Sequence, residues 1–161
     1  MKKFDVYRIA KIGIISAIYV IITLLSSPLS YGQIQFRISE ALILLCFFNK
    51  DYIISMTLGC FIANLFSPLG LIDAGFGTAA TLIAVVLIYM CRNRLNLFWV
   101  SLFPVVSNAI IIAIELKIVY DVPLIASMGW VALGEFVCVS ILGVVLFKAM
   151  SSNKQFIKLI S

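Results

Sequence analysis

With no histidine in its 161 residues, this sequence must do its chemistry with carboxylates, amides and aromatic rings. Histidine acid–base catalysis and histidine metal ligation are excluded. The polar residues that remain are few and oddly placed. Glu135 stands eleven residues beyond Leu124, inside an apolar run. Asn108 and Glu115 are seven apart, so they share one helix face about 10 Å apart along the axis. Glu40 follows Arg37 by three residues, and Asn64 and Asp73 bracket a Pro/Gly turn. Several carboxylates with few cations suit a solute that is positively charged or rich in donors. A carboxylate accepts two parallel hydrogen bonds from a guanidine-like edge, such as a ring N–H beside an exocyclic amine. A protonated amine on the solute would take a second carboxylate. Asn64 and Asn108 can serve the remaining positions, and Phe36 and Trp130 can stack a flat ring. The four cysteines (Cys46, Cys60, Cys91, Cys138) sit singly in apolar stretches, as small hydrophobes rather than disulfide partners or metal ligands.

The elements that must position these groups follow from composition. The chain is 63% apolar and 12% charged, against about 45–50% and about 25% in soluble domains. Its natural solvent is lipid. The expectation is an all-α membrane protein, a single integral membrane domain over residues 1–161 with six transmembrane helices. Span one runs from about Ile9 to Leu25, followed by the SSPLSYG loop, Ser26 to Gly32. Span two runs from about Gln35 to Phe48, three from Tyr52 to Phe66 and four from Ala74 to Met90. Span five runs from about Leu97 to Leu116, and six from Leu124 to Phe147. A signal peptide is the competing reading of the first run, but no small-x-small cleavage site follows it. A separate soluble enzyme domain does not fit the length. The net charge of +5 goes to membrane orientation rather than nucleic acid.

Basic residues concentrate on the cytoplasmic side of membrane proteins. With both termini in the cytoplasm, Lys2, Lys3, Arg8, Lys11, Lys50, Arg92, Arg94, Lys148, Lys154 and Lys158 all fall inside, leaving Arg37 and Lys117 outside. Asp5 and Asp51 are then cytoplasmic, whereas Glu40, Asp73, Glu115, Asp121 and Glu135 fall in the outer half. An ionisable group at bilayer depth costs about 2.5–3.5 kcal/mol on insertion scales, so each needs a reason. Structural reasons exist for most. Arg37 and Glu40 can pair with each other at the interface, and Asp73 can cap span four. Glu115 can reach the outer interface, the asparagines can bridge helices, and Asp121 beside Pro123 is solvated. Glu135 is too deep for any of these, and its own helix offers no cation. Among small residues, Ala10, Gly13 and Ala17 form a strip on span one that lets another helix approach closely. Gly59 and Ala63, and the glycines of Gly75–Phe76–Gly77–Thr78, permit close packing, and the latter could equally open backbone groups to a ligand.

The stretch YGQIQFRISEALILL (Tyr31 to Leu45) closely resembles the signature of QueT-type proteins. These are substrate-binding S components of energy-coupling factor (ECF) transporters for queuosine precursors. NLFSPLGLID (Asn64 to Asp73), PVVSNAIIIAIEL (Pro104 to Leu116) and GWVALGEF (Gly129 to Phe136) extend the likeness over nearly the whole chain. The resemblance implies a six-helix ECF S-component-like bundle in a bacterial cell membrane. It would bind 7-aminomethyl-7-deazaguanine or queuine from outside. It implies partners as well, a transmembrane coupling protein and two cytoplasmic ATPases, with the small residues of the first helix as docking face. That face carries Ala10, Gly13 and Ala17 in place of the strict Ala-x-x-x-Ala pattern. No Walker motif occurs, so the chain has no cofactor of its own and ATP belongs to the partners. On this reading Glu135 and Glu115 take the guanine edge and the amine. Arg37 and Glu40 would hold the loop from Pro28 to Phe36 as a lid. The competing class is a stand-alone proton-coupled secondary transporter of a small cationic or nucleobase-like solute, with Glu135 as proton carrier. An enzyme is not expected, since no catalytic motif is present.

Overall fold

The computed structural model describes residues 6–31 and 35–152. Lys2, Lys3, Asp5, Lys154 and Lys158 of the charge argument lie outside the described residues, as do Gly32 and part of the Pro28-to-Phe36 segment. Among the described residues every regular element is helical. In chain order these are α1 (Val6–Leu25), the short α2 (Ser27–Ser30), a 3-10 helix (Ile38–Phe47), α3 (Asp51–Leu65) and α4 (Leu71–Cys91). Then come α5 (Leu97–Val100), α6 (Leu102–Tyr120), α7 (Leu124–Glu135), a π-helical stretch (Phe136–Gly143) and α8 (Val144–Ser151).

Four helical runs are long and apolar enough to cross a membrane: Val6–Leu25, Leu71–Cys91, Leu97–Tyr120 and Leu124–Ser151. The 3-10 helix and α3 are apolar but shorter. Of the six spans expected from sequence, length and composition thus support four. The reason is local. A spanning α-helix needs about 20 residues, and the polar stretches before Ile38 and after Leu65 leave these two segments 10 and 15 residues.

The 3-10 helix is the centre of the fold. It is apolar nearly all round, and such a helix belongs in an interior. Ile43, Leu44 and Cys46 are fully buried, in one core with Met56, Cys60, Val85, Ile88, Cys138 and Val139. Around it α1 packs on α3, α3 on α4, α4 on α6 and α6 on α7, and the π-helical stretch lies against the 3-10 helix itself. Three of the four cysteines are buried and Cys91 is half-buried, all of them free thiols. The outer faces present large apolar side chains such as Ile14, Ile21, Leu82, Ile110 and Val145. That is the surface of a protein solvated by lipid, and no soluble monomer would carry so much of it.

The α1–α3 contact depends on a missing side chain. A Cβ at Gly59 would stand 3.0 Å from Tyr19 Cβ and 3.2 Å from the Ser16 carbonyl oxygen. Ser16 Oγ donates to the Ser55 carbonyl at 2.9 Å across the same seam. At the amino end of α1, Arg8 grips Asp51 with both Nε and Nη2. The opposite end of the bundle gathers the polar groups.

Candidate functional site

At that end the carboxyl ends of α1, α3 and α6 meet the amino ends of the 3-10 helix, α4 and α7. Arg37, just before the 3-10 helix, is 3% exposed. Its Nη2 lies 3.5 Å from Asp73 Oδ1, an ion pair without hydrogen-bond geometry. Its Nε donates to the Ser30 carbonyl at 3.3 Å, and its guanidinium sits 5.8 Å from the Tyr31 ring centroid. Arg37 therefore bridges to the start of α4 instead of forming the ion pair with Glu40 expected from sequence. Asp73 is buried in the first turn of α4, whose N-cap is Gly70, so it faces the arginine rather than capping the helix.

Glu40 accepts the Tyr19 hydroxyl from α1, and one turn further along the same seam the Thr23 and Ser39 hydroxyls are 2.6 Å apart. Asn108 Nδ2 donates to Glu135 Oε1 at 2.7 Å, joining α6 to α7. Glu135 also senses the charges of Glu40 and Arg37. Asn64 Nδ2 donates to the Asp73 carbonyl at 3.2 Å. This needs Gly77, because a Cβ there would collide with Asn64 Nδ2. Glu115 is 1% exposed, not at the interface, and it interacts electrostatically with Asp73 and Arg37.

Four buried carboxylates thus surround one buried guanidinium, leaving a formal excess of three negative charges when all are ionised. Glu40 Oε2, Asp73 Oδ1, both oxygens of Glu115 and Glu135 Oε2 find no hydrogen-bond partner among the described residues. A buried carboxylate oxygen without a donor costs on the order of 1–3 kcal/mol or more. The layer is therefore short of positive charge and donors, which is what a cationic, donor-rich solute supplies.

Two adjoining spaces open beside it. A small cavity of about 30 Å³ is bordered by Asp73, Glu115, Gln35, Tyr31, Leu116 and Tyr120. A larger cleft of about 510 Å³ between α6 and α7 is walled by Tyr31, Leu116, Tyr120, Pro123, Ser127 and Trp130, among others. Tyr31, Leu116 and Tyr120 line both.

The structure brings together Arg37, Glu40, Asp73, Asn108, Glu115 and Glu135, with Asn64 bracing Asp73 from behind. Trp130 stands apart, half-exposed on the cleft wall, and Phe36 packs against the apolar core. Ala10, Gly13 and Ala17 all lie on the exposed side of α1, and a Cβ at Gly13 would meet nothing within 4 Å. Sequence reasoning missed Tyr19, the partner of Glu40. The signal was present: Ser16, Tyr19 and Thr23 recur at helical spacing along one face of an otherwise apolar span, and all three are buried.

The model of the QueT transporter family matches residues 9–152. The chain is 41% identical over 149 residues to the "Queuosine precursor transporter QueT" of Lactococcus lactis subsp. cremoris (strain MG1363), a match that covers 84% of this chain and 88% of that protein. No solved structure matches the chain. The family and the relative are named as transporters, and the apolar helices fit a membrane protein that transports rather than catalyses.

Proposed function

The chain belongs to the QueT transporter family, and from that premise we propose that it is the substrate-binding S component of an energy-coupling factor importer. As a single integral domain of a bacterial cell membrane, it captures 7-aminomethyl-7-deazaguanine or queuine from the outside. The observation that carries this reading is the buried layer of four carboxylates, with its unpartnered oxygens and lone guanidinium. A deazaguanine with an amine arm offers both a donor edge and a positive charge to such a layer.

In this reading the 3-10 helix and α3 complete six crossings, and both termini face the cytoplasm. The distribution of charge supports that orientation. Arg8 and Asp51 pair at the end remote from the acidic layer, and Lys50, Arg92 and Arg94 fall at helix ends on the same side. ATP is consumed by two cytoplasmic ATPases joined to a transmembrane coupling protein. The bare Ala10–Gly13–Ala17 flank of α1 supports docking there, because small residues let a second helix approach closely.

The test is uptake of labelled 7-aminomethyl-7-deazaguanine in cells making the chain with and without the coupling protein and ATPases. The expected outcome is saturable binding by the chain alone and accumulation only with the partners present. Accumulation by the chain alone under a proton gradient would assign the stand-alone carrier, with Glu135 moving the proton. Absence of binding in both settings would overturn the reading altogether.

A further inference from the structure

The two spaces beside the acidic layer differ in size and in chemistry, and the difference sorts the parts of a ligand between them. The inner cavity, about 30 Å³, exceeds the about 10–15 Å³ that holds one water molecule and is far smaller than the cleft beside it. It is of a size for an ammonium group. Its wall carries Asp73, 4% exposed, and Glu115, 1% exposed. Asp73 Oδ1 and both Glu115 oxygens lack hydrogen-bond partners among the described residues. Asp73 already faces Arg37, whereas Glu115 has no ion pair among the described residues. An ammonium's three donors fit that set of acceptors.

The outer cleft, about 510 Å³, has the volume of a small-molecule pocket. Its walls offer three aromatic rings (Tyr31, Tyr120 and Trp130) and no charged side chain among the described residues. Such walls suit a flat ring. Tyr31, Leu116 and Tyr120 border both spaces and form the neck between them. We propose that Glu115 and Asp73 seat the ligand's ammonium group while the aromatic cleft between α6 and α7 holds the flat ring that bears it. This division makes the amine the feature that Glu115 selects for. The inference rests on the function proposed above, and adds which groups of the protein meet which part of the solute.

Calorimetry on the full chain in lipid nanodiscs tests it with two probes that share one ring, 7-aminomethyl-7-deazaguanine and 7-cyano-7-deazaguanine, whose nitrile cannot carry the charge. The unaltered protein should bind the aminomethyl compound at least about tenfold more tightly. Glu115→Gln should remove most of that preference. Trp130→Ala, at a half-exposed position where folding is not at stake, should weaken both compounds alike by about threefold to tenfold and leave the preference standing. Equal affinity of the unaltered protein for the two compounds overturns the proposal. So does equal weakening of both by Glu115→Gln, which would put the guanine edge against that carboxylate, and so does Trp130→Ala without effect. Failure of the unaltered protein to bind either compound overturns the deazaguanine reading, and this assignment with it.

Discussion

Tyr19 and Glu40 show how far single residues can be read before a fold is known. A glutamate four residues past a loop in an apolar chain announces itself by its cost, and Glu40 is indeed buried. Its partner does not announce itself, because the distance between two helices is not written in either one. The same holds for Arg37, whose nearest acid in sequence is Glu40 but whose ion pair is with Asp73, thirty-six residues on. Which groups are expensive was legible; which of them meet was not. Tyr19→Phe takes away the hydroxyl that Glu40 accepts and leaves both carboxylate oxygens without a donor. The expected loss is about 1–3 kcal/mol in unfolding of the detergent-solubilised protein. Adding Glu40→Gln should recover part of it, since the second change removes the stranded charge. A double variant no more stable than Tyr19→Phe would argue that the hydroxyl is not bonded to Glu40.

At the scale of elements, hydropathy located the helices well, because apolar length is a direct reading of sequence. Hydropathy predicts span four over about Ala74 to Met90, and the helix runs over Leu71–Cys91. The 3-10 winding of Ile38–Phe47 and the π-helical stretch Phe136–Gly143 were not foreseen. Hydrophobic periodicity cannot show them, for a segment apolar on all sides has no stripe whose pitch can be measured. What sets them is mutual packing. At Gly143 a Cβ would meet Leu44 Cδ1 at 3.1 Å and Ala41 Cα at 3.3 Å. The small residues likewise divided only once neighbours were in view. Gly59 is enclosed by Tyr19 and Ser16, whereas Gly13 faces open space. Gly59→Leu should therefore destabilise the α1–α3 seam, by about 1–3 kcal/mol or more, measured by thermal unfolding. Gly13→Leu should leave stability and ligand binding intact and block co-purification with the coupling protein. A Gly13→Leu protein that assembles at the normal ratio would count against docking through this flank.

For the molecule as a whole, the separation of charge along the bundle is the property most fully legible beforehand. Acidic residues of the deep layer occupy one end, and Arg8, Asp51, Arg92 and Arg94 belong to the other. The orientation proposed from this asymmetry makes a direct prediction. A cysteine placed at Asp121, whose side chain is 90% exposed, should react with a membrane-impermeant maleimide in intact cells. One placed at Arg94 should react only after permeabilisation. The opposite pattern would turn the molecule over and set the acidic layer toward the cytoplasm.

One helix ties these scales together. α1 has 20 residues, so at 1.5 Å per residue it is a rod about 30 Å long. Its inner side is fastened through Ser16 to α3, through Tyr19 to Glu40 and through Thr23 to Ser39. Its other flank, with Ala10, Gly13 and Ala17, is exposed among the described residues. Anything that takes hold of that free flank grasps a handle already latched to a carboxylate of the acidic layer. Tilting the handle would tug on Glu40, and loading the layer would in turn steady the handle.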